Sequence, residues 1–359
     1  MEQEVKKVLQ QIIYPDTGKD IIESGLIHEI VVKDELIVVS LKFRLKRDPF
    51  AKQVRKAAED ALVAAFPGRE ISCYIHKEIP KRVPPKSPYK EINDSGTANI
   101  KHIIAITSGK GGVGKSTVTT NLAISLQQMG YNVGILDADV YGPSQTNLLK
   151  SSLEPGMIKR DGREWIEPIM PFGVPMMSMS MFIKPGDPII WRGTMAHTAL
   201  RQFLHDTYWG NLDFLLIDMP PGTGDIHLSI TSEVKLTGAI VVTTPQDVAL
   251  SAVMRGINMF RHPQVDVPLM GLIENMSWFT PEEHPDERYY IFGEGGGVQY
   301  AEKLNIPLLG QIPIVQSIRW CSDEGFPAVI HSDIVAGYYQ QISDKIVDML
   351  GGKPSIKCR

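Results

Sequence analysis

Apolar residues recur along this chain in two rhythms, and the change from one to the other divides it. Over residues 5–13 and 51–66 they return every three or four positions, the spacing of an amphipathic helix, and the second run stops at Pro67 and Gly68. Residues 26–32 and 36–43 read as paired strands about a turn at Lys33, Asp34 and Glu35, and residues 71–75 as a last strand. Beyond residue 100 the strand runs change character. Residues 102–107, 133–137, 214–218, 238–243 and 269–273 are unbroken apolar stretches, as expected of parallel strands covered on both faces. Helical runs such as 116–129, 248–260 and 334–350 lie among them. The pattern predicts an α/β protein: a doubly wound, mostly parallel sheet preceded by a small α/β (α+β) domain, with ligands at the carboxyl ends of the strands.

The join between the two is compositional. Pro80, Pro84, Pro85 and Pro88 stand among Lys81, Arg82, Lys86 and Lys90, and Asp94 to Asn99 are small and polar. This reads as a solvated tether, extended in its first half and flexible in its second. The predicted boundaries are residues 1–80, a linker over 81–99, a large domain over 100–352 and a tail over 353–359. Over 359 residues, 43% are hydrophobic and 22% charged, ordinary values for a globular protein. The net charge of −4 makes no global case for nucleic acid or membrane. Three widely spaced cysteines, Cys73, Cys321 and Cys358, suit a reducing cytoplasm rather than a disulfide framework. No apolar run reaches membrane-spanning length and the amino terminus lacks signal-peptide order, so the expectation is a cytoplasmic protein without a membrane partner.

The chemistry concentrates after the first strand of the large domain. Gly109, Lys110, Gly111, Gly112, Val113, Gly114, Lys115, Ser116 and Thr117 fit the phosphate-cradling pattern GxxxxGK[ST], between a strand run and a helix run. Its glycines let several N–H groups converge on one phosphate chain, and the helix start adds its positive dipole end. Lys115 is predicted to reach the β- and γ-phosphates of ATP, and Ser116 to hold Mg²⁺. Asp137 and Asp139 end the next strand run. Asp139 is the choice for orienting the attacking water and Asp137 for the Mg²⁺ shell, with turn capping the alternative for either. Asp218 closes a further apolar run and is followed by Pro220, Pro221, Gly222, Thr223 and Gly224. It is predicted to hold Mg²⁺ through water, while Gly222 brings its N–H close to the γ-phosphate and makes the loop a switch. Asn275, in Glu274-Asn-Met-Ser277, is either an adenine reader or a turn cap.

Together with Lys110 directly after the first glycine, with Asp137-Ala-Asp-Val-Tyr-Gly-Pro-Ser144 and with Ile291-Phe-Gly-Glu-Gly-Gly296, these segments resemble an Mrp/ApbC-type ATPase of the MinD/ParA superfamily. The opening module, with Ile13-Tyr-Pro-Asp-Thr-Gly18, is similar to the small iron–sulfur assembly domain found in front of such ATPases. The resemblance implies ATP-linked homodimerisation, with Lys110 reaching the partner's phosphates and joining Lys115 and Asp139 in catalysis. It implies Asn275 at the adenine edge, an anion or interface role for Arg192, slow hydrolysis, and delivery of iron–sulfur clusters to apoproteins or assembly factors.

Two departures bear on that implication. The small domain has Arg47, Asp48, Pro49 and Phe50 where family members often carry a cysteine. Cluster-bearing members also carry a Cys-x-x-Cys before the Ile-Phe-Gly segment, two pairs in a dimer giving four thiolates for one [4Fe–4S] cluster. Residues 278–290 here contain no cysteine. His284 is expected to be solvated, and Cys321 paired with its copy supplies two thiolates. The alternative to a carrier is therefore a cysteine-less, ATP-switched regulator, binding DNA through a dimer surface and the basic linker.

Overall fold

The small antiparallel and parallel pairings come first in this computed structural model, which describes residues 1–32, 36–43, 48–75, 95–151, 154–182, 193–281, 284 and 287–351. The turn at 33–35, Arg47, residues 81–94 of the linker, Trp191, Arg192 and the tail with Cys358 lie outside the described residues. The chain divides into two units, Met1–Lys81 with Ile330–Ser332, and Arg82–Val329 with Asp333–Arg359.

In the first unit α1 (Glu2–Leu9), β1 (Ile27–Val32), β2 (Leu36–Leu41), α2 (Ala51–Ala65) and β3 (Glu70–Ile75) build one small core. β2 is central, antiparallel to β1 and parallel to β3. Val5 and Leu9 of α1 and Val54, Ala58 and Leu62 of α2 meet Ile37, Val39 and Leu41 of β2, so each helix buries its apolar stripe on one face of the sheet. Cys73 belongs to that core, and burial pushes its thiol up to about 12. Asp48 accepts hydrogen bonds from the Tyr14 hydroxyl and the Phe50 N–H, a packing and turn role.

The second unit is built on a sheet that runs β4 (Ile100–Ser108), α3 (Lys115–Gln128), β5 (Val133–Asp137), α4 (Gln145–Leu148), then a hairpin of β6 (Gly156–Arg160) and β7 (Arg163–Glu167), and β8 (Met176–Ser178). It continues through α5 (Gly193–His205), β9 (Leu212–Asp218), α6 (Asp225–Glu233), β10 (Gly238–Thr243), α7 (Asp247–Phe260), β11 (Leu269–Phe279), α8 (Gly296–Leu304), β12 (Leu308–Ile314), α9 (Gln316–Glu324), α10 (Ala328–His331) and α11 (Asp333–Met349). Among the described residues seven strands lie in the order β12-β11-β10-β4-β9-β5-β8, and every pairing is parallel. Strands β5, β9 and β10 are buried along their whole length, which is why they read as unbroken apolar runs. From β4 the chain goes one way to β5 and β8, returns to β9, and then crosses to β10, β11 and β12. The connections therefore diverge around β4, which places a ligand crevice at its carboxyl end.

One expectation about local structure needs correcting. Strand β11 runs on to Phe279, so Glu274, Asn275 and Ser277 lie within it and not in a turn after it. No helix among the described residues is long and apolar enough to cross a membrane.

Candidate nucleotide site

The loop between β4 and α3 is shaped by close contacts that only glycine allows. A Cβ on Gly109 would stand 2.4 Å from the backbone of Ala252 and Val253, so the start of the loop lies directly against α7. Gly114, the residue before α3, has φ of +80°, and a Cβ there would stand 2.3 Å from the Asn275 side-chain nitrogen. Asn275 donates from that nitrogen to the Val113 carbonyl at 2.9 Å, tying the end of the loop to β11. Around Gly111 and Gly112 no atom of the described residues lies within 4 Å of where a Cβ would be, and among those residues the cradle is open on that side. Thr117 follows in the first turn of α3 and accepts at its carbonyl from Asn121.

Lys115 points inward. Its Nζ is 2.5 Å from Asp218 Oδ1 and 3.8 Å from Asp139 Oδ2, and both Lys115 and Asp218 are buried. A buried pair of this kind is stable because each charge neutralises the other; neither could stand there alone. Thr119, one helical turn after Lys115, donates to the Lys115 carbonyl at 3.0 Å and lies 3.3 Å from Asp218 Oδ1. Gln145 completes the arrangement. Its side-chain nitrogen donates to Asp218 Oδ2 at 2.9 Å and to the Ser116 carbonyl at 3.0 Å, while its oxygen accepts from Thr120. Both Asp218 oxygens are thus held, one by Lys115 and one by Gln145.

The two acids after β5 differ in what they have left to offer. Asp137 is wholly buried. Its Oδ2 accepts from the Ser144 and Gln145 N–H groups at 3.1 Å and from the Ser178 hydroxyl at 2.9 Å, and its Oδ1 from the Asp139 N–H. Burial, and then the neighbouring Asp218 charge, raise it to about 7, against the pull of those donors and of Lys115. An Asp137 so occupied does not fit the Mg²⁺ shell expected of it; it organises the turn from 138 to 145. Asp139 spends Oδ1 on the Tyr141 and Gly142 N–H groups and turns Oδ2 toward Lys115. One of its oxygens caps the turn and the other faces the site.

The loop after β9 is tied to the end of β4. Gly222 has φ of +90°, and its N–H donates to the Ser108 carbonyl at 2.9 Å. Lys110 donates to the Gln246 side chain at 3.0 Å. For a phosphate chain and Mg²⁺ the residues fit: an open glycine cradle, a lysine at its floor, the Ser116 hydroxyl beside it, and Asp218 behind as a partner through water. For a metal cluster they do not. No group of three or more His, Cys, Asp or Glu that could hold a metal occurs among the described residues. Cys321, the cysteine of the large unit within those residues, is buried in α9 with its thiol pushed up to about 12. The two thiolates that Cys321 and its copy could offer a cluster are thus set inside a helix that buries them. His284 is exposed, 3.6 Å from Glu287.

Thr119, Gln145, Ser178 and Gln246 escaped the sequence reading. Thr119 carried a signal, since four residues after Lys115 on a helix is the same face. The other three come from distant segments with no motif of their own.

A glycine cradle on the first central strand, with a buried Lys–Asp pair across to the neighbouring strand of a doubly wound parallel sheet, defines a P-loop NTPase. Comparison gives the particular kind. Residues 99–347 match the model of the NUBPL iron-transfer P-loop NTPases, a ParA-type family, and the chain belongs to it. Residues 2–72 match the iron–sulfur cluster assembly protein model. An iron–sulfur cluster carrier protein of Synechocystis is 39% identical over 91% of this chain and 90% of its own length. An iron–sulfur cluster transfer protein of Dictyostelium discoideum is 44% identical over 70% and 77%. A solved nucleotide-binding protein from Archaeoglobus fulgidus, in complex with ADP, is 36% identical with a TM-score of 0.57, covering 65% of this chain and 89% of that one.

Proposed function

We propose that the chain is a magnesium-dependent ATPase that dimerises around its nucleotide and passes iron–sulfur clusters to apoproteins. One observation carries the reading: a protein named as a cluster carrier matches across nine-tenths of both chains, through the assembly-type unit and the NTPase unit alike. The same match favours a carrier over a DNA-binding regulator.

The roles follow from the geometry. ATP phosphates entering the cradle compete with Asp218 for Lys115, which shifts to the β- and γ-oxygens. Asp218, released from that pair but still held by Gln145, then faces the metal position beside the Ser116 hydroxyl. Mg²⁺, when bound there, neutralises charge on the β- and γ-phosphates. Asp139 has one oxygen pinned by backbone N–H groups, so the free one is fixed in direction and suits the orienting of a water. Asn275 braces the loop by donating to the Val113 carbonyl, and its side-chain oxygen is the group left for an adenine edge. Lys110 leaves Gln246 to reach a partner's phosphates, which makes assembly depend on nucleotide. Sedimentation of Lys110→Ala is expected to show dimer loss with ATP while ATP still binds; an unchanged dimer would remove Lys110 from the interface.

The cluster is cargo, and no transfer step is assigned to the described residues, because their thiols are buried and protonated. Anaerobic reconstitution followed by transfer to an apoprotein tests the carrier role. The expected result is cluster reaching the apoprotein faster with this chain than without it, and as fast with Cys321→Ser. A protein that binds ATP and dimerises yet neither takes up iron nor transfers it would end the carrier reading.

A further inference from the structure

The loop of residues 219–224 has two polar accounts, and in this structure only one is settled. Gly222 is satisfied, its N–H on the Ser108 carbonyl. His227, in the first turn of α6, is not. Its side chain is completely buried, edge-on to Phe260 with ring centroids 6.5 Å apart, and neither ring nitrogen has a hydrogen-bond partner among the described residues. The carbonyls of Gly224 and Pro220, both in the loop, are close enough to oppose the fall in its basicity that burial causes, yet not aligned to accept from it. A neutral imidazole carries one N–H and one lone pair, and burying them unpaired is unfavourable.

The nucleotide reading, on which this inference rests, requires the Gly222 N–H to leave Ser108 and turn to a γ-phosphate. We propose that His227 is the positioning residue for that exchange: as Gly222 lets go of Ser108, the loop brings the Pro220 or Gly224 carbonyl into line with the imidazole N–H, and the bond gained offsets the bond lost. His227 touches no phosphate. It makes the loop nearly balanced between two arrangements, so that the contacts of a γ-phosphate are enough to choose one. ADP has no γ-phosphate, and its affinity does not draw on the exchange. His227 therefore sets the preference of the site for ATP over ADP.

Titration calorimetry of the full-length protein with ATPγS and with ADP, each with Mg²⁺, tests this. In His227→Leu the ATPγS affinity is expected to fall about tenfold, the scale of one hydrogen bond, with ADP affinity within twofold of wild type. His227→Gln, which can still donate, is expected to recover part of the loss. A residue that merely packs would shift the thermal midpoint and leave the ratio of affinities unmoved, and an unmoved ratio in folded His227→Leu overturns the proposal. The wild type gives a second reading that needs no variant to fold. With its nine histidines ¹⁵N-labelled, a slowly exchanging imidazole N–H is expected to appear with saturating ATPγS and not with ADP; its absence also overturns the proposal. A wild type that binds neither nucleotide would bring down the nucleotide reading itself, and this inference with it.

Discussion

At the carboxyl ends of β4, β5 and β9 the polar groups are buried and answer one another. Along residues 287–291 the side chains face outward. Lys115, Asp218, Gln145 and Asp137 have between none and 6% of their surface exposed, and each is fixed by at least one direct bond. Tyr289, Tyr290 and Ile291 are 39–60% exposed, on a segment that returns beside β11 through a pairing of Tyr289 with Phe279, while Arg288 lies over the Trp278 ring at 4.4 Å. The first region is a machine part finished before its ligand arrives. The second is a surface whose work depends on what it meets. The lesson is that the nucleotide half of the function is written in internal geometry, and the cargo half is not.

The sharpest test of that contrast is Lys115→Ala. It removes the cradle's cation and leaves Asp218 buried without its counter-charge. Nucleotide binding is expected to vanish in calorimetry, with a stability loss of about 3 kcal/mol by denaturant unfolding. Unchanged ATP affinity would break the assignment of the site. Asp139→Ala comes next, expected to slow ATP hydrolysis about a hundredfold or more while sparing affinity, as a lost water-orienting group should. Equal turnover would give the role to another group.

A smaller effect concerns acid. Burial lowers His227 to about 4, whereas the unfolded chain titrates near 6.5. Between those values the unfolded state takes up a proton that the folded state refuses. Stability is therefore whole above pH 6.5 and is lost as pH falls toward 4, by roughly 3 kcal/mol at most from this group. Urea midpoints of wild type and His227→Leu should diverge on descending through that window. Parallel curves would show the imidazole better solvated than its burial indicates. The smallest effect belongs to the outer surface: Arg288→Ala should cost about 0.5–1 kcal/mol or less, the value of an exposed cation–π contact. A loss of several kcal/mol would mean that segment 287–291 is internal architecture after all.

What could be read from the residues follows the same division. The doubly wound sheet was legible because β5, β9 and β10 are buried on both faces and so are apolar throughout. The cradle was legible because its geometry needs glycine at fixed spacing. The job of Asp137 was not, since a carboxylate ending a strand looks the same whether it faces a metal or, as here, three donors of its own turn and the Ser178 hydroxyl of β8. Asn275 was found as a residue but misplaced as an element, because polar side chains inside β11 look like the end of a strand when their partners, Val113 among them, are far away in sequence. Gln145 and Ser178 matter only through tertiary contacts and have no local mark.

One feature of the sheet also governs how the protein is made. Strand β4, which carries the cradle, is the first strand of its sheet in the chain, yet Ile104 pairs with Leu216 on one side and with Gly238 on the other. Neither neighbour exists until about half of the unit has been synthesised. The strand must wait, apolar on both faces, through the emergence of more than a hundred residues. Such distant pairings are slow to form and leave sticky surface exposed meanwhile. Nucleotide cannot shorten that wait, because the acid that faces Lys115 arrives only with β9. In a growing chain, the part that identifies the protein is among the last to become functional.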